Sequence, residues 1–177
     1  MKQLQSLKGS MQNSMRNFLK KSLEIDSRIS LYYASDNNHF LQSGFSVISN
    51  MGSGLVFISM LLLLWIFFYD YFYQIVLFIL LAEIAGLFAI IILRYATRRK
   101  RPLASRDLFW FSPWNKYSFP SHHAFRSFMV ATILGIKYPI SIPFLFIVAF
   151  SIGFSRIYLS KHYLTDVIAG AFLGISV

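Results

Sequence analysis

The amino-acid sequence predicts an all-α fold: a polytopic membrane bundle of about five spans, preceded by an amphipathic helix lying on the membrane surface. Three observations lead there. Hydrophobic residues make up 56% of the 177 residues and charged ones only 14%, far from the balance of soluble domains. The apolar residues come in long runs: Ser53 to Tyr69 is almost wholly apolar, and Phe72 to Leu93 is interrupted only by Gln74 and Glu83. Such runs match a hydrocarbon core of about 30 Å at about 1.5 Å per helical residue. Finally, the polar residues gather in short clusters where apolar runs end.

Taken in order, residues 1–50 form a basic amphipathic N-terminal region and 51–177 the membrane-embedded core. Leu4, Leu7, Met11, Met15, Phe18, Leu19 and Leu23 recur at helical spacing among Lys2, Lys8, Arg16, Lys20, Lys21 and Arg28, the pattern of an interfacial helix. Residues 25–50 continue with mixed polarity, and Ser35-Asp36-Asn37-Asn38-His39 reads as a turn. The first span covers 53–69, with a tight turn at Asp70. The second covers 72–95 and runs into Arg98-Arg99-Lys100-Arg101-Pro102. The loop over 102–120 carries Phe109, Trp110, Phe111 and Trp114, aromatics typical of a membrane interface. A third span runs from Ser121 to Lys137-Tyr138-Pro139, a fourth over 140–157, and a fifth begins near Leu164. From Asp166 to Val177 there is only about 18 Å of helix, so the fifth is a partial span or the natural chain is longer. Small residues four apart (Ala82/Gly86, Ala85/Ala89, Gly170/Gly174) allow close helix packing.

The chain has no cysteine, which excludes disulfides, Cys-based metal sites and Cys nucleophiles. Its net charge of +10 would point to nucleic acid in a soluble protein. Here the cations sit beside apolar runs, so the expected counterparts are lipid head groups or a phosphate substrate, with no nucleic acid and no obligate protein partner.

Three clusters carry chemistry: Arg94-x6-Arg101-Pro102, Pro120-Ser121-His122-His123 and Ser155-Arg156-x5-His162-x3-Asp166. Spans two to four bring all three to one membrane face. Arg94 and Arg101, two helical turns apart, would share a helix face that Pro102 ends, and their guanidinium forks suit phosphate oxygens. Arg98, Arg99 and Lys100 read as membrane anchors. Ser121 opens a helix whose free N–H groups form an anion site, and one of His122 and His123 is placed to protonate a leaving oxygen. In a helix, His162 and Asp166 would touch, the carboxylate fixing the tautomer of a nucleophilic imidazole while Arg156 holds the phosphoryl group. A zinc site built from His122, His123, His162 and Asp166 is the competing arrangement, but the surrounding arginines suit an anion. No metal and no cofactor is expected.

In order and spacing these clusters resemble the signature of the type 2 phosphatidic acid phosphatase superfamily: Lys-x6-Arg-Pro, Pro-Ser-Gly-His, Ser-Arg-x5-His-x3-Asp. The chain departs from it at Arg94, which replaces the Lys, and at His122, which replaces the Gly. The resemblance covers roughly residues 50–177. It implies that His162 is the nucleophile that becomes phosphorylated, oriented by Asp166, and that His123 is the general acid. Arg94, Arg101, Ser121, His122 (through its backbone N–H) and Arg156 would bind phosphate. The implied activity is metal-independent hydrolysis of a lipid phosphomonoester or diphosphate, on lipid A, undecaprenyl diphosphate, phosphatidylglycerol phosphate or phosphatidic acid. A phosphotransferase using the same phosphohistidine, and a non-enzymatic basic membrane protein, are the alternatives. The implied location is the bacterial inner membrane, with the site facing the periplasm. Two further charges stand out. Mid-span Glu83 is expected to contact a neighbouring helix, too far from the active face for catalysis; Arg126 would reach the head group or support a nearby polar group.

Overall fold

The computed structural model describes residues 2–103 and 116–177, with side chains left out at 2–12, 15, 18, 19 and 67–72. The loop aromatics Phe109, Trp110, Phe111 and Trp114 lie outside the described residues. Six α-helices follow in order: α1 Lys2–Ala34, α2 His39–Met51, α3 Gly54–Thr97, α4 His122–Lys137, α5 Ile142–Tyr158 and α6 Leu164–Ile175, with one 3₁₀ turn at Pro139–Ser141. Among the described residues the single β contact is the isolated antiparallel bridge between Lys100 and Tyr117.

α1 extends beyond the expected amphipathic stretch and stops at the polar patch Ser35–Asn38. There Asn38 Oδ1 accepts the Leu41 N–H at 3.1 Å and caps α2. This cap starts a helix over residues of mixed polarity whose apolar members Leu41, Phe45 and Ile48 recur at helical spacing. Ser53 Oγ accepts the Val56 N–H at 3.4 Å and opens α3. α2 and the stretch Gly54–Ile66 meet at a 48° bend.

α3 is not one rod. The guanidinium of Arg126 in α4 lies 4.7 Å over the Phe57 ring, and its Nε donates to Glu83 Oε1 at 3.0 Å. A straight helix would hold Phe57 and Glu83 about 39 Å apart. The arms 54–66 and Tyr73–Thr97 therefore return antiparallel, reversing between Ile66 and Tyr73. The tight turn expected at Asp70 falls in the stretch where the arms reverse, and the backbone stays helical through it.

Phe57, Leu61, Ile79 and Ile90 of the two arms close a core with Phe125, Met129 and Ile133 of α4. Gly86 permits this, because a Cβ there would lie 1.8 Å from the Phe125 ring. α6 lies against α4 almost backbone to backbone. A Cβ on Gly170 would come within 2.3 Å of the Ser121 carbonyl oxygen, and one on Gly174 within 2.4 Å of that of Phe125. The four-residue spacing of small residues thus serves packing, as expected.

Large apolar side chains face outward, among them Phe78, Phe88, Phe144, Phe150 and Phe172, while Asp26, Glu83, Arg94, Arg126, Arg156, His162 and Asp166 are buried. That inversion fits lipid as the surrounding solvent. Tyr73–Thr97 and Pro139–Tyr158 are each long and apolar enough to cross a membrane, and α2 with Gly54–Ile66 makes a third crossing if the bent pair counts as one. α4 and α6, expected as spans, are shorter, at 16 and 12 residues.

Candidate active site

The three clusters meet where the second arm of α3 ends, α4 begins, and α5 hands over to α6. Arg94 lies in the last turn of α3 and donates from Nη2 to the Pro120 carbonyl at 3.3 Å, tying the first cluster to the second. The helix then ends at Thr97 with Arg98 in the left-handed region at φ 48°. This corrects the expectation that Pro102 ends it: Arg101 does not share a helix face with Arg94. It lies beyond the helix, after a short extended stretch in which the Arg99 carbonyl accepts the Ser118 N–H at 2.8 Å.

Ser121 is the N-cap of α4, and its own N–H donates to the Asp166 carbonyl at 2.9 Å. Its Oγ is buried and makes no hydrogen bond among the described residues, so this hydroxyl is placed to meet an anion. The two histidines that follow point to different partners. His122 turns toward Glu83, with Nε2 2.9 Å from Oε1, and Arg126 bonds the same carboxylate and the Gly52 carbonyl (3.1 Å). Glu83 therefore contacts a neighbouring helix as expected. It is nevertheless closer to the site than its mid-span position implied, because it holds the side chain of a motif residue. Arg126 is engaged there as well. His123 packs against Gly52, where a Cβ would stand 3.1 Å from the imidazole Cδ2.

His162 is 1% exposed and lies in the short connection between α5 and α6, not within a helix. The helical contact expected with Asp166 is correspondingly loose: Nδ1 to Oδ2 is 3.6 Å, beyond hydrogen-bonding distance. Nδ1 instead bonds the Ser118 carbonyl at 2.8 Å. A carbonyl only accepts, so Nδ1 carries the proton and Nε2 keeps its lone pair. Burial, then the positive charges of Arg156, Arg101 and Arg94, push the His162 imidazole well below its ordinary pKa, which holds it neutral. Those same three arginines are therefore near enough to act on a group attached to His162. Arg156 is buried near the end of α5 and bonds Ser49 of α2, while Ser155 caps its own helix turn through the Ile152 carbonyl.

Asp166 is fully buried near the start of α6, where Oδ2 accepts the Tyr163 N–H at 3.0 Å. Its other oxygen takes Arg99 Nη1 at 2.8 Å, and Arg99 Nη2 reaches Asp26 of α1 at 2.7 Å. Arg99 is thus no membrane anchor. Asp26, Arg99, Ser118 and Thr165 were all missed from sequence. The one available signal was Asp26, a carboxylate on the same α1 face as Ile29 and Tyr33, which pack inward. Among the described residues no three His, Asp or Glu side chains converge to hold a metal ion.

Comparisons with known proteins bear on the family and the fold. The profile of the PAP2 superfamily matches residues 75–177, the stretch that holds all three clusters. One similar structure is the transmembrane PAP2-type phosphatidylglycerolphosphate phosphatase from Bacillus subtilis. It superposes with a TM-score of 0.69 at 20% identity, over 86% of this chain and 80% of that one. Another is LpxE from Aquifex aeolicus, with a TM-score of 0.67 at 28% identity over 88% of this chain and 90% of that one. The chain belongs to the PAP2 superfamily and is a helical membrane enzyme of the phosphoric ester hydrolase class.

Proposed function

We propose that the protein hydrolyses the phosphomonoester or diphosphate of a membrane lipid through a phosphohistidine on His162. The observation that carries this is a buried imidazole whose Nδ1 is committed to the Ser118 carbonyl, leaving Nε2 as nucleophile among Arg94, Arg101 and Arg156. Nε2 attacks phosphorus as the bond to the leaving oxygen breaks, and His123 gives that oxygen a proton. Water, deprotonated by the same histidine, then attacks the phosphohistidine and releases inorganic phosphate. The arginines, the Ser121 hydroxyl and the backbone N–H of His122 would hold the phosphoryl oxygens as charge spreads over them. The His122 side chain is tied to Glu83, so it leaves that role to its backbone.

A lipid substrate follows from the outward apolar faces around the site, which bring head groups to it at high local concentration. Phosphatidylglycerol phosphate, phosphatidic acid, undecaprenyl diphosphate and the 1-phosphate of lipid A are the candidates, and the proposed location is the bacterial inner membrane with the site facing the periplasm. The test is turnover of those four lipids and of a soluble phosphate ester, all in EDTA. The reading expects metal-free turnover with at least one lipid far ahead of the soluble ester. Equal efficiency on all five, or activity only when a metal is restored, contradicts it.

A further inference from the structure

Arg99 falls between the fixed positions of its cluster, yet it reaches both groups that face the Nδ1 side of His162. Its guanidinium donates to Asp166 Oδ1 at 2.8 Å and to Thr165 Oγ1 at 2.6 Å, and it stacks 4.0 Å over the Tyr163 ring. Its main-chain carbonyl takes the Ser118 N–H at 2.8 Å, which aims the Ser118 carbonyl at His162. The far side of Arg99 is held by Asp26 at 2.7 Å.

Asp26 is an unusual residue for its helix. It is 1% exposed on a predominantly basic α1, and its carboxylate also accepts the N–H of Thr165 at 3.1 Å and the Thr165 hydroxyl. A buried carboxylate is costly unless it is paired and hydrogen-bonded, and this one is both. The result is a row of alternating charge: Asp26 negative, Arg99 positive, Asp166 negative, then His162, which becomes cationic when phosphorylated. Without Asp26 the full charge of Arg99 would fall on Asp166 and weaken its field at His162. With Asp26 in place, Asp166 keeps that field.

We propose that Arg99 is a positioning residue of the active site, clamped by Asp26 of α1, and that this row sets how readily His162 accepts the phosphoryl group. The proposal rests on the reading of His162 as the nucleophile. The N-terminal helix would then belong to the catalytic apparatus as well as to the membrane surface.

The experiment uses the full chain in detergent micelles or nanodiscs and compares wild type with Asp26→Asn, Arg99→Gln, Arg99→Lys and the Asp26→Asn/Arg99→Gln double variant. Ile29→Ala removes α1 packing without touching the row and serves as the control. Phosphoenzyme formation in a single turnover, steady-state kcat and KM, and thermal unfolding are measured for each. Asp26→Asn and Arg99→Gln should each slow phosphorylation and kcat by about 10–100-fold, the usual loss when an outer partner of a site group is removed, with KM little changed. Arg99→Lys should lie between, because an ammonium lacks the fork that spans both carboxylates. The double variant should be no slower than Arg99→Gln alone, as expected for residues acting through one another.

Wild-type phosphorylation rates in Asp26→Asn overturn the proposal. So does an equal loss of rate in Ile29→Ala and Asp26→Asn at equal loss of thermal stability, which would make α1 a purely structural support. Should Arg99→Gln fail to fold, the Asp26→Asn and Ile29→Ala pair still decides. A phosphoenzyme that persists in His162→Ala refutes the nucleophile reading instead, and is a separate outcome from any of these.

Discussion

His123 and His162 sit in one site under opposite demands, and substitution separates them. If His123 protonates the leaving oxygen, His123→Ala should slow turnover of an alkyl phosphate by about 10²–10⁴-fold and that of an activated aryl phosphate far less, since an aryl oxide leaves without a proton. An equal penalty on both substrates would remove the general-acid role. His162 has a different signature. Its lowered pKa means that the neutral form persists to lower pH than in free histidine, so the nucleophile stays competent as pH falls through the ordinary imidazole range. In ¹⁵N-histidine NMR, His162 should remain the neutral Nδ1–H tautomer at pH values where free histidine has taken up its second proton. A midpoint at or above the ordinary value would contradict the burial and the arginine field described for it.

Between elements, the site depends on how closely α6 approaches α4. Asp166 and Ser121 are joined by a backbone hydrogen bond of 2.9 Å, and Gly170 lies one turn further along the same contact. Gly170→Ala would place a Cβ 2.3 Å from the Ser121 carbonyl, an overlap with backbone that no side-chain rotation relieves. The helices should then separate at a cost of about 1–3 kcal/mol. Activity should fall along with thermal stability, because the same shift moves Asp166 away from Ser121. Unchanged melting and turnover would mean that the contact is not so tight. This contact was legible from the Gly170/Gly174 spacing, as was the helical character of the long apolar runs. The helix α2 was not read as an element of its own, although Leu41, Phe45 and Ile48 recur at helical spacing; its packing against α5 joins residues too distant in sequence to be seen there. The same limit applies to Arg99: a basic residue beside an apolar run looks like an anchor until its acidic partners, distant in sequence, are folded against it.

Across the whole molecule, aromatic and aliphatic side chains cover much of the outside, while charged side chains are buried around the site beside an apolar core. The motif spacing made most of the site legible, because spacing dictates which helix ends must meet. It could not show that His162 would be fixed by a main-chain carbonyl more closely than by Asp166, since Ser118 reaches it across a connection with no periodic signal. The central claim is that His162 carries the phosphoryl group, and trapping the intermediate tests it most directly. Wild-type protein and His162→Ala would be quenched during turnover of a lipid labelled in its phosphate, then digested and mapped. The account predicts an acid-labile, base-stable phosphoryl adduct on His162 in the wild type and none anywhere in His162→Ala. Label on another residue, or label retained by His162→Ala, would contradict it.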